Sequence, residues 1–186
     1  MNEAEAIARC LKGDAIAYGW VMREYKHLVH TVSLRVLRHH EDAEESTQDA
    51  FVKAFQNLGA FQGGSKLSTW LYSIAYRTAV SKLRGRKKGD VAPDDLPEGA
   101  LGFIESDRNE AADRKQALEK ALAELPEEDA TVITLFYLHE QSIEEIVTIT
   151  GLTASNVKVK LHRSRKRMHA TLQVLLKDEL WTIQEL

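Results

Sequence analysis

The 186-residue chain has little of what secreted or membrane-spanning proteins depend on. It has one cysteine, Cys10, so no disulfide can form within the chain, and we expect Cys10 to be a small core residue. No apolar run approaches the roughly 20 residues that a membrane-spanning helix needs. The N-terminus, "MNEAEAIARCLKGD", lacks the basic start and apolar core of a signal peptide. With 44% hydrophobic and 28% charged residues, the chain is expected to be soluble, globular and cytoplasmic, without membrane insertion.

Proline is also scarce, and all three prolines fall where boundaries are expected. Pro93 and Pro97 lie within residues 90–102, which have neither helical periodicity nor strand alternation and are therefore predicted to be a linker. Pro126 precedes the acids at 127–129, which favour the positive N-terminal end of a helix. The predicted parts are an N-terminal domain, an acidic linker and a C-terminal domain, at residues 1–90, 91–112 and 113–186.

Apolar residues recur every three or four positions in both halves of the chain, as the buried face of a helix requires. The longest such series in the first half is Val21, Tyr25, Leu28, Val32 and Val36. After a glycine-bearing turn at 61–66, another helix is expected, with Ser68 as its N-cap. We therefore predict an all-α fold of two small helical domains.

The net charge of −3 hides an alternation of charged blocks. Residues 41–49 are acidic, 77–88 are basic, 90–113 are acidic again, and 157–168 are basic. Such alternation indicates several charged surfaces, each with its own partner, although solvated helix faces explain any single block equally well.

A helix-turn-helix is predicted in the second half. Ser142 and Glu145 have the spacing of a capping box at the start of a short helix. Gly151 can end that helix in a left-handed conformation, and Thr153 or Ser155 can cap the next one.

The second helix of this motif has one apolar stripe and a basic outer surface. The stripe recurs at steps of four, three and four: Val157, Leu161, Ser164 and Met168. The cations fall outside it, where they can neutralise phosphates or bind base edges in a DNA major groove. Nucleic-acid binding is therefore favoured over a merely solvated face.

No enzyme is expected, because the sequence has no Ser/His/Asp elbow, no phosphate-cradling glycine loop and no paired catalytic motif. The pairs His27/His30 and His39/His40 lack cysteine or clustered carboxylate partners at ligand spacing. We predict no catalytic residue, no metal and no cofactor.

Two long motifs, in this order, resemble the extracytoplasmic-function (ECF) group of bacterial sigma factors. The first is "DAEESTQDAFVKAF" followed by "FQGGSKLSTWLYSIAYRTAVSKLR", and the second is "LPEEDATVITLFYLHEQSIEEIVTITGLTASNVKVKLHRSRKRM". The resemblance covers most of the chain. It implies a factor that binds core RNA polymerase (β′ clamp helices and β flap), recognises the −10 and −35 elements of promoter DNA and helps to melt it. An anti-sigma factor is a further implied partner, and the acidic linker would thread through the RNA channel of the polymerase.

The resemblance assigns residues to three surfaces. Those implied to dock on the polymerase are Asp42, Glu45, Gln48 and Asp49. Those implied to bind and melt the −10 element are Gln62, Gly63, Gly64, Ser65, Lys66, Trp70, Arg77, Ser81, Arg84 and Lys88. The residues implied to lie nearest the −35 bases are Lys158, Val159, His162 and Arg163, with phosphates or solvent left to Lys160, Arg165, Lys166 and Arg167. Core packing is expected for at least two of the aromatic residues Trp70, Tyr72 and Tyr76.

Several positions depart from the family's pattern. Ser46 and Thr47 replace larger apolar residues, Thr153 replaces a common proline, and Val159 replaces a common small polar residue. The tail at 171–186 either lengthens the basic helix or binds a partner. Two other classes remain open at this point: a dimeric helix-turn-helix repressor or activator, and a helical adaptor whose charges bind proteins.

Overall fold

The computed structural model describes residues 1–86 and 110–176, without the side chains of 110–113. Within these ranges the chain forms eight α-helices, one short 3₁₀ turn and no strand, which confirms the all-α prediction. The N-terminal helices are α1 (Glu3–Cys10), α2 (Ala15–Leu37), α3 (His40–Gln56) and α4 (Leu67–Arg86), with the 3₁₀ turn (Leu58–Ala60) between α3 and α4. The C-terminal helices are α5 (Glu110–Ala123), α6 (Glu127–Tyr137), α7 (Ile143–Thr150) and α8 (Ala154–Leu175). None of these described helices is long and apolar enough to cross a bilayer.

Helix α2 is the longest element of the N-terminal group. It begins at Ala15 because the Asp14 carboxylate accepts a hydrogen bond from the backbone N–H of Ile16 at 2.9 Å. It ends at Leu37, after which Arg38 takes a left-handed conformation with φ of 54°. The apolar series predicted from the sequence faces inward, with Val21, Val32 and Val36 buried and Tyr25 and Leu28 half-buried.

Helix α4 begins two residues earlier than expected. It starts at Leu67, so Ser68 already lies in its first turn, and the prediction that Ser68 is the N-cap is wrong. The backbone N–H of Trp70 donates to the carbonyl oxygen of Lys66 at 3.1 Å and closes that turn. Leu67 is 1% exposed. Burying a leucine stabilises by about 1.5–3 kcal/mol, which exceeds the roughly 1 kcal/mol of a serine cap.

The N-terminal core lies where α2, α3 and α4 meet, with α1 packed against α2. Tyr72 and Tyr76 are buried in it, which confirms core packing for two of the three aromatic residues of α4. Trp70 is half-buried, with its ring centroid 5.3 Å from that of Phe61. Cys10 is buried as well, as expected of a small core residue.

The C-terminal helices pack directly on the N-terminal ones, α6 against α2 and α7 against α4. The Arg35 guanidinium and the Glu119 carboxylate form a largely buried ion pair at 2.7 Å. Arg38 donates hydrogen bonds to the carbonyl oxygens of Ala123, at 3.0 Å, and Leu125. Arg38 thereby satisfies carbonyls at the end of α5 that the helix itself leaves free.

The predicted boundaries are only partly covered by the described residues. Helix α5 begins at Glu110, so the last positions assigned to the linker are helical. The rest of the predicted linker lies outside the described residues, as does the tail from 177 to 186. The preceding part of the tail continues α8 as far as Leu175.

His139 lies where the two groups of helices meet. Its ring centroid is 5.2 Å from that of Tyr72 on α4, and its buried Nε2 atom has no hydrogen-bond partner. Burial lowers the pKa of His139, and the nearby charges of His27 and Arg35 on α2 lower it further. Burial, reinforced by His40, likewise lowers the pKa of His30.

We expect acidification to weaken the fold through these two histidines. In the unfolded chain each titrates near its ordinary pKa of about 6.5, whereas in the folded protein each resists protonation. Their stabilising effect is therefore complete above about pH 6.5 and is lost as the pH falls through the lowered pKa values. Urea unfolding at pH 7.5 and at pH 5.5 should give a smaller free energy at the lower pH, and H139Q should narrow the difference. H169Q, at an exposed site on α8, is the control. If H169Q reduced the difference in unfolding free energy between the two pH values as much as H139Q does, the pH dependence could not be assigned to His139.

Candidate nucleic-acid interface

The helix-turn-helix is formed by α7, the turn at Gly151 and α8. The capping box at the start of α7 is complete: the Ser142 hydroxyl accepts from the Glu145 backbone N–H at 3.1 Å, and the Ser142 backbone N–H donates to the Glu145 carboxylate at 2.8 Å. Gly151 ends α7 with φ of 77°. Of the two caps considered for α8, Thr153 is the one used, and its hydroxyl accepts from the Asn156 backbone N–H at 3.2 Å.

Glu145 has a second role between the two groups of helices. Its Oε1 atom lies 3.3 Å from the Lys66 Nζ and accepts from the Thr69 hydroxyl at 3.3 Å. The hydrogen bond from the Ser142 backbone lowers the pKa of the Glu145 carboxyl, and Lys66 adds to this effect against the opposing effect of burial. Glu145 therefore remains ionised while it bridges the two groups of helices.

Helix α8 buries its predicted stripe and exposes its predicted reading edge. Val157, Leu161 and Ser164 are buried, and Met168 is half-buried. We use "reading edge" for the four residues expected nearest the bases, all of them exposed: Lys158, Val159, His162 and Arg163. Arg165, Lys166 and Arg167 are exposed as well. One helix face is thus cationic over several turns while the opposite face anchors it.

Lys160 differs from the other predicted DNA-binding cations of α8. Its ammonium lies 2.7 Å from the Glu128 carboxylate and 2.7 Å from that of Asp129, and only 18% of its side chain is exposed. Burial by itself would lower the pKa of Lys160, but the two carboxylates raise it above its ordinary value. Its charge is therefore neutralised inside the protein.

A cleft of about 360 Å³ opens between α3, the 3₁₀ turn and α4, and we call it the α4 cleft. Its lining residues are Lys53, Asn57, Ala60, Trp70, Ile74, Arg77, Thr78 and Ser81. Sequence reasoning had singled out Trp70, Arg77 and Ser81. It missed Lys53 and Asn57, which are four residues apart on α3 and so share one helix face. The cleft combines two cations with an indole ring, as a site for a nucleic-acid strand requires.

The loop at 61–66, before α4, begins directly after Ala60, which lines the cleft. Its five predicted residues, Gln62, Gly63, Gly64, Ser65 and Lys66, are exposed. Gly63 has φ of 71°, a conformation that favours glycine. Arg84 is exposed on α4, and Lys88 lies outside the described residues.

Some of the acidic side chains of α3 are paired with cations of α4. Glu45, Gln48 and Asp49 are exposed, but Asp42 is largely buried against Arg86 and Lys82, with the Lys82 Nζ at 3.2 Å. Lys82 also lies 2.6 Å from the Glu45 carboxylate. The basic block of α4 thus neutralises part of the acidic block of α3.

Ser46 and Thr47, the unusual polar residues of α3, both face inward and are buried. The Thr47 hydroxyl donates to the carbonyl oxygen of Ala43 at 2.6 Å. These two polar residues therefore belong to the core beneath the acidic surface and not to its exposed side chains. Among residues 1–86 and 110–176, no three His, Cys, Asp or Glu side chains are grouped so as to hold a metal ion.

Comparisons with known proteins cover both halves of the chain. Residues 21–89 match the family model described as sigma-70 region 2, and residues 115–168 match the model described as sigma-70, region 4. The chain is 32% identical to the RNA polymerase sigma-H factor of Pseudomonas aeruginosa over 187 residues, covering 95% of this chain and 97% of the relative. It is 30% identical to the ECF RNA polymerase sigma-E factor of Escherichia coli K12, with the same coverage. The ECF RNA polymerase sigma factor SigW of Bacillus subtilis is 29% identical and covers 91% of this chain and 96% of its own.

Solved structures share the fold. The sigma factor RpoE of Bartonella quintana, in complex with the anti-sigma factor NepR, matches with a TM-score of 0.66 at 24% identity, over 86% of this chain and 96% of its own. CnrH, in complex with the cytosolic domain of CnrY, matches with a TM-score of 0.64 at 19% identity, over 91% of this chain and 96% of its own.

The turn of the helix-turn-helix generates a prediction about backbone conformation. A Cβ atom would meet nothing within 4 Å at either Gly151 or Gly19, so the two sites differ in backbone conformation and not in available space. G151A should lower the free energy of unfolding by about 1–2 kcal/mol, because an L-residue is strained in the left-handed region. G19A, inside α2, should raise it by about 0.5–1 kcal/mol. Urea denaturation measures both, and a shift of the same sign in the two variants would contradict the explanation.

Proposed function

This chain belongs to the sigma-70 family, within the ECF group of RNA polymerase sigma factors, and we propose that it divides promoter recognition between α8 and the α4 cleft. The family acts with RNA polymerase in promoter-specific transcription initiation, and so does this protein. The dimeric repressor and the helical adaptor are set aside, because both halves of the chain match regions of one initiation factor. The catalytic step of RNA synthesis belongs to the polymerase.

The −35 element is read by the reading edge of α8. The observation that carries this proposal is that all four of its residues are exposed while the opposite stripe is buried. Arg163 can bind a guanine edge with two hydrogen bonds, and the 42% exposed side chain of Val159 suits the methyl group of thymine. Arg165, Lys166 and Arg167 contact phosphates and contribute affinity without regard to sequence.

A strand of the opened −10 element enters the α4 cleft. The volume of about 360 Å³ lies in the range of roughly 300–1,000 Å³ found for small-molecule sites and is large enough for a base. Trp70 offers an aromatic surface, and Lys53 and Arg77 lie where they can neutralise the strand's phosphates. The neighbouring loop from Gln62 to Lys66 supplies further polar contacts.

Core RNA polymerase binds the exposed acids of α3, through its β′ clamp helices, and the C-terminal helices, through its β flap. Glu45, Gln48 and Asp49 make the direct contacts, whereas Asp42 orients Lys82 and Arg86 from a largely buried position. The division at residues 1–90, 91–112 and 113–186 is part of this proposal, as is the passage of the linker through the RNA channel. A factor that works with the polymerase is expected in the cytoplasm.

Regulation by an anti-sigma factor is proposed because the sigma factor RpoE, which shares this fold, was solved in complex with the anti-sigma factor NepR. Such an inhibitor should prevent this chain from binding core polymerase. A protein that bound this chain but still let it assemble with core polymerase, as judged by size-exclusion chromatography, would not be an anti-sigma factor.

The decisive test adds the protein to core polymerase on a promoter library and reads the initiating sequences. R163A should lose about 1–3 kcal/mol of discrimination at one upstream base pair. R165A and K166A should weaken all promoters alike and reduce the salt slope by about 1 each. Absence of sequence-directed initiation would overturn the function, and equal effects of the three variants on every promoter would overturn the division of roles on α8.

The α4 cleft can be tested separately by promoter opening, followed through permanganate reactivity of the −10 thymines. K53A and R77A should each reduce opening and lower the salt slope for the single strand by about 0.7, because each loses one phosphate contact. K12A removes an exposed lysine that does not line the cleft and is the matched control. If K53A and R77A opened the promoter as K12A does, the strand would have to bind elsewhere.

A further inference from the structure

The ion pair that holds Lys160 connects α8 to the start of α6. Glu128 and Asp129 lie in the first turn of α6, where the positive end of the helix dipole favours acidic side chains. Both carboxylates lie 2.7 Å from the Lys160 ammonium. The bridge therefore joins two helices of the C-terminal group.

The position of the bridge along α8 matters for base reading. Lys160 adjoins Val159 and lies three residues before Arg163, so along α8 it lies between residues of the reading edge. A second polar contact of α8 joins the Thr171 hydroxyl to the carboxylate of Glu124, just after α5, at 2.6 Å and well beyond that edge.

Apolar contacts set which face of α8 is buried but do not direct individual polar atoms. Val157 and Leu161 hold the helix against its neighbours, but hydrophobic burial is not directional. A charge-assisted hydrogen bond is directional, and the Lys160 ammonium donates one to the Asp129 carboxylate at 2.7 Å, while the Glu128 carboxylate adds an ion pair at 2.7 Å. A bidentate contact between an arginine and a base edge needs such a defined orientation.

We infer that Lys160 is a positioning residue that fixes the rotation of α8 in the major groove through Glu128 and Asp129, instead of contacting a phosphate. This inference deepens the proposed −35 role of α8 and rests on it. It assigns Lys160 to sequence discrimination, and it adds two acids at the start of α6 to the residues on which promoter choice depends.

The two roles predict effects on different quantities, binding strength in one case and sequence discrimination in the other. If Lys160 served a phosphate, the double variant E128Q/D129N would free a cation, remove two repelling acids and strengthen binding to every sequence. If Lys160 positions α8, the same double variant lowers discrimination between a cognate and a mismatched −35 element. The expected loss is about five- to tenfold at the base pair that Arg163 reads, within the value of one bidentate contact.

The experiment uses the full chain with core RNA polymerase and measures initiation from cognate and mismatched −35 elements at several salt concentrations. K160M and E128Q/D129N should both lose discrimination, while K160R, which keeps the charge and the donors, should restore most of it. K166A, on the exposed face of the same helix, should lower the salt slope by about 1 and keep discrimination. Tighter binding of E128Q/D129N with unchanged discrimination would overturn the inference.

R163A in the same assay separates this inference from the proposed function. If R163A leaves discrimination unchanged, α8 does not read the −35 element, and the function and the inference both fall. If R163A lowers discrimination and K160M does not, only the positioning role of Lys160 is overturned. D129N, which keeps Glu128 as a partner, covers the case in which K160M does not fold, and it should show a smaller loss of the same kind.

Discussion

Burial of α4 by α2, α3 and α7 leaves one strip of that helix in contact with solvent. Leu67, Leu71 and Ala75 occupy the core, while Thr69 and Ser73 face the C-terminal helices. What remains exposed is the strip with Arg77, Ser81 and Arg84. The α4 cleft opens along this strip, between α4, the 3₁₀ turn and the side chains of Lys53 and Asn57 on α3, so the packing of one helix determines where the cleft lies.

The same packing distributes charge. A net charge of −3 conceals acids and bases that neutralise one another within the fold: Lys82 with Asp42, Arg35 with Glu119, and Lys160 with Asp129. Because these pairs lie between helices, they orient those helices relative to one another. On two helices the side chains left at the surface are mostly of one sign, with acids along α3 and cations along α8. A mildly acidic protein can therefore present a basic face to DNA and an acidic face to a polymerase.

Much of this was predictable because it depends on neighbours in the sequence. Helical periodicity, the capping box of Ser142 and Glu145, and the left-handed Gly151 are local features, and the structure has each of them. The buried stripe of α8 follows from spacing alone. The resemblance of two long motifs to one family then placed these elements in a functional order.

The failures share one cause, which is that tertiary neighbours decided the outcome. Ser68 lost its capping role to the burial of Leu67. In the sequence Lys160 is indistinguishable from the other cations of α8, because the two carboxylates that pair with it lie on α6. Nothing in the sequence singled out Lys53 and Asn57, because their place in the lining of the α4 cleft depends on how α3 packs against α4. Spacing along one helix cannot report a partner that lies on another.

Glu145 links local folding to the arrangement of the whole molecule. One carboxylate completes the cap of α7, pairs with Lys66 and accepts from Thr69. A substitution of Glu145 therefore differs from a substitution at an ordinary helix cap. It removes at once the cap of α7, the ion pair with the loop before α4 and the hydrogen bond that joins the two groups of helices. Selection for a more stable cap at this position would also change how readily the two groups of helices separate. Substitutions at positions 66, 69 and 145 should therefore covary among relatives.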